Sequence, residues 1–325
     1  LKGTKRGCLE GGCGSCTVIL SSYNPIFERV KHRAVTSCLI PIANLHNTSI
    51  TTIERLTQNE NYYTHNILNP IQLAIKKHNA TQCGFCTPGF IMSTLALILE
   101  NPNPTNEDLL YRLDGNICRC TGYRSIFEAL REFTVDASPN DGIISDNLGK
   151  HDKISLNQSI QNSLKELSNL TLLKRENNSI SIKNNGHVIF LPTTLSELFN
   201  LKKKYPKAKI LVGNSELLIS SQPNDKFDYI STNQLHQFQY IRIDETPKGR
   251  LLKIGPSTTI DDIYEFCIKN NNKSRLLNAF IDKISTFASN QTRSVASLIG
   301  NISSSSPSTD FTNFLPAIGA QLKVY

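Results

Sequence analysis

The chain is predicted to be a multidomain α+β protein on three observations. Eight of its nine cysteines fall in the first 120 of 325 residues, interleaved with short β-rich apolar runs. Residues 66–134 carry helical apolar spacing with cap and stop signals. From His187 onward, strand-like and helix-like segments alternate without a further cysteine pattern. A chain of this length can bury more than one core.

Taken in order, residues 1–57 read as turns and strands: CTVIL from Cys16, RAVTSCLIPI from Arg33 and TSITTIERL from Thr48. Helices follow. NPIQLAIKKH places Ile71, Ala74 and Ile75 on one face. Thr87 with Pro88 reads as an N-cap and first helical position for GFIMSTLALILE, which is apolar nearly all round and so should be buried. Thr105 and Asp108 form a variant capping box for a helix through Leu113, stopped at Gly115. Ser125–Phe133 is a fourth helix. Residues 135–183 turn rich in Asn, Ser, Asp and Lys and read as a linker, with some helical spacing at Ser155–Leu173. Then come a strand (HVIFLP), a Thr-capped amphipathic helix (TTLSELFNLKKKYP) and a strand running into a turn (AKILVGNSEL). A strand and capped helix (RLLKIGPSTTIDDIYEFCIK) precede a helix or turn with a Ser-rich loop (SVASLIGNISSSSPSTD).

Composition excludes several classes. The longest apolar run, Phe90–Leu99, is interrupted by Ser93 and Thr94 and is about half of a bilayer span, so no membrane partner is expected. The net charge of +8 is spread, its densest run being Lys202–Lys204, and no nucleic-acid signature accompanies it. Lys2, Lys5 and Arg6 lead into a glycine–cysteine loop rather than an apolar segment, so no export signal is expected and the Asn-x-Ser/Thr triplets are read as chance. Cysteines spaced one or two residues apart rarely bond to each other, which argues against a disulfide framework. Cys267, on an apolar helical stripe, reads as a buried core thiol.

Two cysteine quartets remain. Cys8, Cys13, Cys16 and Cys38 have the C-x4-C-x2-C…C spacing of plant-type [2Fe–2S] sites. Gly7, Gly11, Gly12 and Gly14 would let the loop wrap a cluster and aim its N–H groups at sulfur. Cys83, Cys86, Cys118 and Cys120 form a C-x2-C and a distant C-x-C, each at the start of a helix, where thiolates are stabilised. Zinc is the alternative for both quartets. Gly213–Asn214–Ser215 after a strand reads as a tight turn or as backbone that approaches a phosphate.

The stretches GCLEGGCGSCTV, QCGFCTPGF and GNICRCTGYRSI resemble the molybdenum hydroxylases, the xanthine dehydrogenase and aldehyde oxidase family. The resemblance implies a β-grasp ferredoxin-like domain at 1–57, lacking its opening strands, and an all-α four-helix [2Fe–2S] domain at 66–134. It implies a linker at 135–183 and an α+β FAD-binding domain of vanillyl-alcohol-oxidase (PCMH) type at 184–325, incomplete at its C-terminal end. The chain would then be an N-terminal fragment or, as the alternative, a separate iron–sulfur/FAD electron-transfer subunit without hydroxylase activity of its own. Two [2Fe–2S] clusters would sit on the eight cysteines, the second nearer the molybdopterin, with Gln82 and Cys120 beside the pterin. Leu211, Val212, Gly213, Asn214, Ser215 and Glu216 would be the phosphate turn for FAD, with Phe287 near the flavin and Ser297, Asn301, Ser304 and Asp310 at further FAD positions. Electrons from a purine or aldehyde, hydroxylated in a domain outside this sequence, would pass through both clusters to FAD and on to NAD or O2. The whole enzyme would be a homodimer of the cytoplasm or peroxisome. Glu216, Asn301 and SVAS lean towards the xanthine branch. Two departures stand out: Leu298–Ile299–Gly300–Asn301 replaces the usual Leu-Gly-Gly-Asn, and Asp310–Phe311–Thr312–Asn313 the usual Asp-Leu-Asn-Pro.

Overall fold

The computed structural model describes residues 2–56, 69–137, 179–184, 187–220, 227–247, 249–271, 273–304, 306 and 309–324. Most of the linker expected at 135–183, and the helical spacing at Ser155–Leu173, lie outside the described residues.

Three strands, β1 (Thr17–Asn24), β2 (Arg29–Thr36) and β3 (Ser49–Thr51), form an antiparallel sheet in the order β2-β1-β3. The second and third are shorter than their apolar runs suggest. The chain leaves the sheet at Ser37, whose N–H bonds to the Cys16 carbonyl at 3.3 Å, and Ser37–Leu39 and Ile53–Leu56 close as 3-10 turns. Pro41, with no N–H to donate, cannot extend the β2 ladder.

Four helices follow: α1 (Pro70–Lys77), α2 (Thr87–Glu100), α3 (Asn106–Leu113) and α4 (Arg124–Arg131). The capping box of Thr105 and Asp108 is made as expected, with both reciprocal bonds. Thr87 is not the cap of α2, however. Gly89 and Phe90 donate to the Cys86 carbonyl, so the helix starts one residue earlier, and the Thr87 hydroxyl pairs instead with that of Thr81 at 2.8 Å. Every residue of α2 from Gly89 to Ile98 is buried. That is possible because α2 runs between the sheet and the other helices: Ile19 and Ala34 of the sheet share one apolar cluster with Phe90, Leu95, Leu109, Ile126 and Leu130.

β4 (Ile180–Asn184), β5 (His187–Leu191), β6 (Lys209–Leu211) and β7 (Tyr229–Ser231) order as β4-β5-β7-β6, so the last residues of the stretch expected as linker, 180–183, are strand. The β4/β5 pair is antiparallel; β5, β7 and β6 are parallel. Helix α5 (Leu195–Lys204), capped by a Thr194–Glu197 box, covers a small core of Leu198, Ala208, Ile230 and Leu235. A four-residue helix, α6 (Leu217–Ser220), follows the β6 turn. The hairpin β8 (Ile241–Thr246) and β9 (Gly249–Ile254) leads to α7 (Ile260–Asn270), α8 (Arg275–Ser285), α9 (Asn290–Arg293), α10 (Leu298–Ser304) and α11 (Phe311–Ala317). Their core holds Ile263, Cys267, Phe280, Phe287 and Phe311. Cys267 is fully buried, and burial pushes its thiol up to about 12. The Ser-rich stretch read as a loop is helical through Ser304.

Candidate functional site

The first quartet lies on the loop before β1 and the 3-10 turn after β2, so the β1/β2 pairing brings Cys16 and Cys38 together. Their thiols hydrogen-bond to each other: this bond chiefly draws Cys16 down to about 6 and pushes Cys38 up. Cys13 and Cys8 form a second pair. Burial opposes ionisation of Cys13, but bonds with Ser15 and Cys8 hold it below the ordinary thiol value. Backbone donors reach the sulfurs as expected, Glu10 N–H to Cys8 Sγ at 3.4 Å and the Gly11 amide to Cys38. Of the four loop glycines only Gly11 and Gly14 have positive φ, at 76° and 68°. Gly7 serves differently: a Cβ there would stand 2.7 Å from Cys13 Sγ.

The second quartet also forms two pairs. Cys120 Sγ donates to Cys83 Sγ at 3.6 Å on the surface, where both are exposed beside exposed Gln82. Cys86 and Cys118 pair in the interior; burial, then Cys118, push Cys86 up to about 12. Burial works against ionisation of Cys118 too, but it accepts from the Thr121 hydroxyl at 3.1 Å and the Thr121 N–H at 3.4 Å, which hold it low. Tyr123, at φ 70°, turns its hydroxyl to accept from the Cys118 N–H at 3.1 Å. One backbone bond joins the quartets: Ile117 N–H donates to Cys13 O at 3.0 Å. Among the described residues no three or more His, Cys, Asp or Glu converge on one ion. Within each quartet the thiols also feel one another across these pairs, Cys8 acting on Cys38, Cys83 on Cys86 and Cys118 on Cys120.

The turn expected at FAD phosphate follows β6. Leu211, Gly213 and Asn214 are buried, Val212 and Ser215 half-buried and Glu216 exposed. Asn214 takes φ 61°, and a Cβ on Gly213 would stand 1.9 Å from Val295 O. That close approach sets the turn directly against the segment leading to Ser297. The turn borders a cavity of about 130 Å³ whose other wall is Leu20 and Arg33 of the first sheet and Asn44 of the 3-10 turn Ile42–Leu45. Ser297 Oγ accepts from Gly300 N–H at 3.1 Å, Ser304 donates to Asn301 O at 2.8 Å, and Asn301 Oδ1 accepts from Phe311 N–H at 3.4 Å. Asp310 pairs with Lys283 at 2.9 Å. Phe287 is buried edge-on against Phe311, with ring centroids 5.0 Å apart.

Residues 52–131 match the [2Fe-2S] binding domain family, and residues 176–325 match the FAD binding domain in molybdopterin dehydrogenase. Over 366 residues the chain is 31% identical to the xanthine dehydrogenase/oxidase of Gallus gallus, covering 99% of this chain and 26% of that protein. It is 32% identical over 351 residues to the aldehyde oxidase of Homo sapiens, covering 98% and 25%. The chain belongs to the xanthine dehydrogenase and aldehyde oxidase family. It spans about a quarter of the length of these family members. Among solved structures it is similar to the quinoline 2-oxidoreductase of Pseudomonas putida 86, at 36% identity over 41% of this chain and 72% of that one, with a TM-score of 0.34. A [2Fe–2S] binding domain and an FAD binding domain are thus both present.

Motif reading missed the polar residues that lock this family member's segments together. Lys31, 1% exposed, reaches Asp262 and Glu265 at 2.8 Å each, Arg33 reaches Asp262 at 3.1 Å, and Arg29 reaches Glu265 at 3.2 Å. The signal was present: three basic residues at period two on β2 and three acids on the first turns of α7. Arg293 and Asn116 carry no such pattern.

Proposed function

We propose that this chain is the electron-transfer portion of a molybdenum hydroxylase of the xanthine dehydrogenase type. The observation that carries this reading is the gathering of eight cysteines into two quartets, Cys83 and Cys120 touching at 3.6 Å and Cys16 and Cys38 hydrogen-bonded across the β1/β2 pairing, in a chain whose residues 52–131 match the [2Fe-2S] binding domain family. Cys8 with Cys13 and Cys16 with Cys38 would hold the cluster nearer the flavin. Cys83 with Cys120 and Cys86 with Cys118 would hold the one nearer the molybdopterin. The clusters supply one-electron chemistry and FAD the exchange between one- and two-electron steps.

The residues do the rest. Thr121 and the loop amides give hydrogen bonds to sulfur, which stabilise the more negative state. Exposed Gln82, Cys83 and Cys120 present the second quartet to the pterin-bearing domain. The Leu211–Glu216 turn, against Val295–Ser297, offers buried backbone for the FAD pyrophosphate. Ile299, half-buried on α10, stands where the family usually has the first of two glycines. We take the domains as 1–57, 66–134 and 184–325. The electrons would come from purine or aldehyde hydroxylation and leave to NAD or O2, in a dimeric enzyme of the cytoplasm or peroxisome. Glu216 and Asn301 favour a purine.

Protein purified without oxygen should be red-brown, hold about four iron and four sulfide per chain, and bleach with dithionite. A colourless protein with stoichiometric zinc overturns the reading.

A further inference from the structure

Three glycines from three cysteine-bearing segments make room for two buried amides, Asn116 and Gln291. Gly14 follows Cys13, Gly89 lies three residues after Cys86, and Gly115 lies three before Cys118. A Cβ on Gly14 would stand 2.3 Å from Gly115 O and 2.6 Å from Asn116 Nδ2; one on Gly89 would stand 2.4 Å from Gly14 O and 2.9 Å from Asn116 Nδ2. A Cβ on Gly115 would collide with Gln291 Oε1 at 1.9 Å. The first of these, Asn116, makes specific bonds. Its Nδ2 donates to Gly14 O at 3.2 Å. Its Oδ1 accepts from Ser93 Oγ at 2.7 Å and from Gln291 Nε2 at 2.9 Å, and Gln291 also donates to Ser93 Oγ at 3.0 Å. Gln291 is fully buried and comes from α9, in the FAD-binding part of the chain. The next residue, Ile117, supplies the N–H that bonds Cys13 O.

We infer that Asn116, held by Ser93 and Gln291, is the positioning residue that fixes the first cluster's loop against the second cluster's loop. The inference rests on the cluster reading above and adds a residue that ligates neither cluster. An amide suits the role because it donates and accepts at once: the donor clamps the Cys13–Cys16 loop, and the acceptor is filled from α2 and α9. A purely apolar side chain of this size would leave the Gly14 carbonyl without its Asn116 partner and Gln291 without an acceptor on Asn116. Gly14 O would keep the Thr17 N–H at 3.1 Å and the Thr17 hydroxyl at 2.6 Å, and Gln291 would keep Ser93, so what is lost is the bond joining the two loops rather than either group's last partner.

The test is electron paramagnetic resonance on the dithionite-reduced protein, purified anaerobically, in which two paramagnets at a fixed short separation split each other's lines. Asn116→Ala and Gln291→Met are compared with the unaltered protein, and iron is counted in each. Gln291→Met keeps the volume, lies in another part of the chain and covers the case in which Asn116→Ala loses iron. We expect each variant that keeps its iron to retain both cluster signals but lose part of the mutual splitting, with Asn116→Gln restoring less than the native residue. A merely structural role would lower the melting temperature and leave the splitting alone. Two intact signals with native splitting in every iron-replete variant overturn this inference. Absence of either signal from the unaltered protein overturns the cluster reading and this inference with it. Loss of iron from both variants overturns the inference as well, since the residues then build a cluster site rather than set a distance.

Discussion

Gly14 shows how one missing Cβ governs this centre. It holds φ 68° and faces the backbone of Gly115 and Asn116, which cannot rotate out of the way as a side chain could. Gly14→Ala should destabilise by at least about 1 kcal/mol from the left-handed backbone alone, and by more because Gly115 O must move. Gly12, two residues away, has nothing within 4 Å of a would-be Cβ and serves as the control. Urea titration of both variants checks this: near-equal midpoints would show that the loop yields freely. The thiols make the same point about neighbours. Cys16 and Cys38 are alike in sequence, yet one falls to about 6 and the other rises because each thiol's proton has one place to go.

Helices and strands here meet through charge as well as apolar packing. The alternation of Arg29, Lys31 and Arg33 puts all three on one face of β2, and the first turns of α7 meet them with Asp261, Asp262 and Glu265. Lys31 is almost wholly buried, so removing it takes the most buried cation from Asp262 and Glu265 and leaves them to Arg33, Arg29 and Lys269. Lys31→Ala should cost about 3–5 kcal/mol, and Lys31→Met with Asp262→Leu much less, because a buried pair is dear to break but not to replace. The pH dependence follows from the acids. Burial opposes their ionisation, yet Lys31 holds Glu265 down at about 2, and Arg33 with Lys31 holds Asp262 below the usual range. A carboxylate depressed by folding stabilises above its unfolded value and loses that contribution as pH falls towards its folded one. Stability should therefore decline from about pH 4.5 towards 2, and less steeply in the double variant. Urea melts across that range decide it; parallel slopes would place the acid sensitivity elsewhere.

Across the whole molecule, what was legible in the sequence was local. Cys38 could be assigned because its spacing repeats a ligand pattern, and Thr105 and Thr194 because a cap is written within four residues. Asn116 and Arg293 could not, since their partners lie 102 and 179 residues away and neither end carries a pattern of its own. Thr87 differs for a local reason: its hydroxyl pairs with that of Thr81, six residues back, at 2.8 Å, and Cys86 takes the cap position. Arg293 is the sharpest case. Wholly buried, it donates to Phe287 O at 2.7 Å, Ala288 O at 2.8 Å and Tyr111 O at 3.2 Å, pairs with Asp114, and lies 4.2 Å over the Tyr111 ring. One guanidinium thus ties the end of α3 to the strained Ala288 turn, φ 45°, beside Phe287. If that tie couples the cluster-bearing helices to the FAD-binding part, native-state hydrogen exchange should report one shared opening for α2 and α8. Arg293→Ala should lower stability by about 3–5 kcal/mol and split the two helices into separate openings. Arg293→Lys should rejoin them only in part, because an ammonium cannot present the planar fork that spans these acceptors. Coincident openings in Arg293→Ala would shift the coupling to the β2–α7 charges, and Lys31→Ala would then be the variant that separates them.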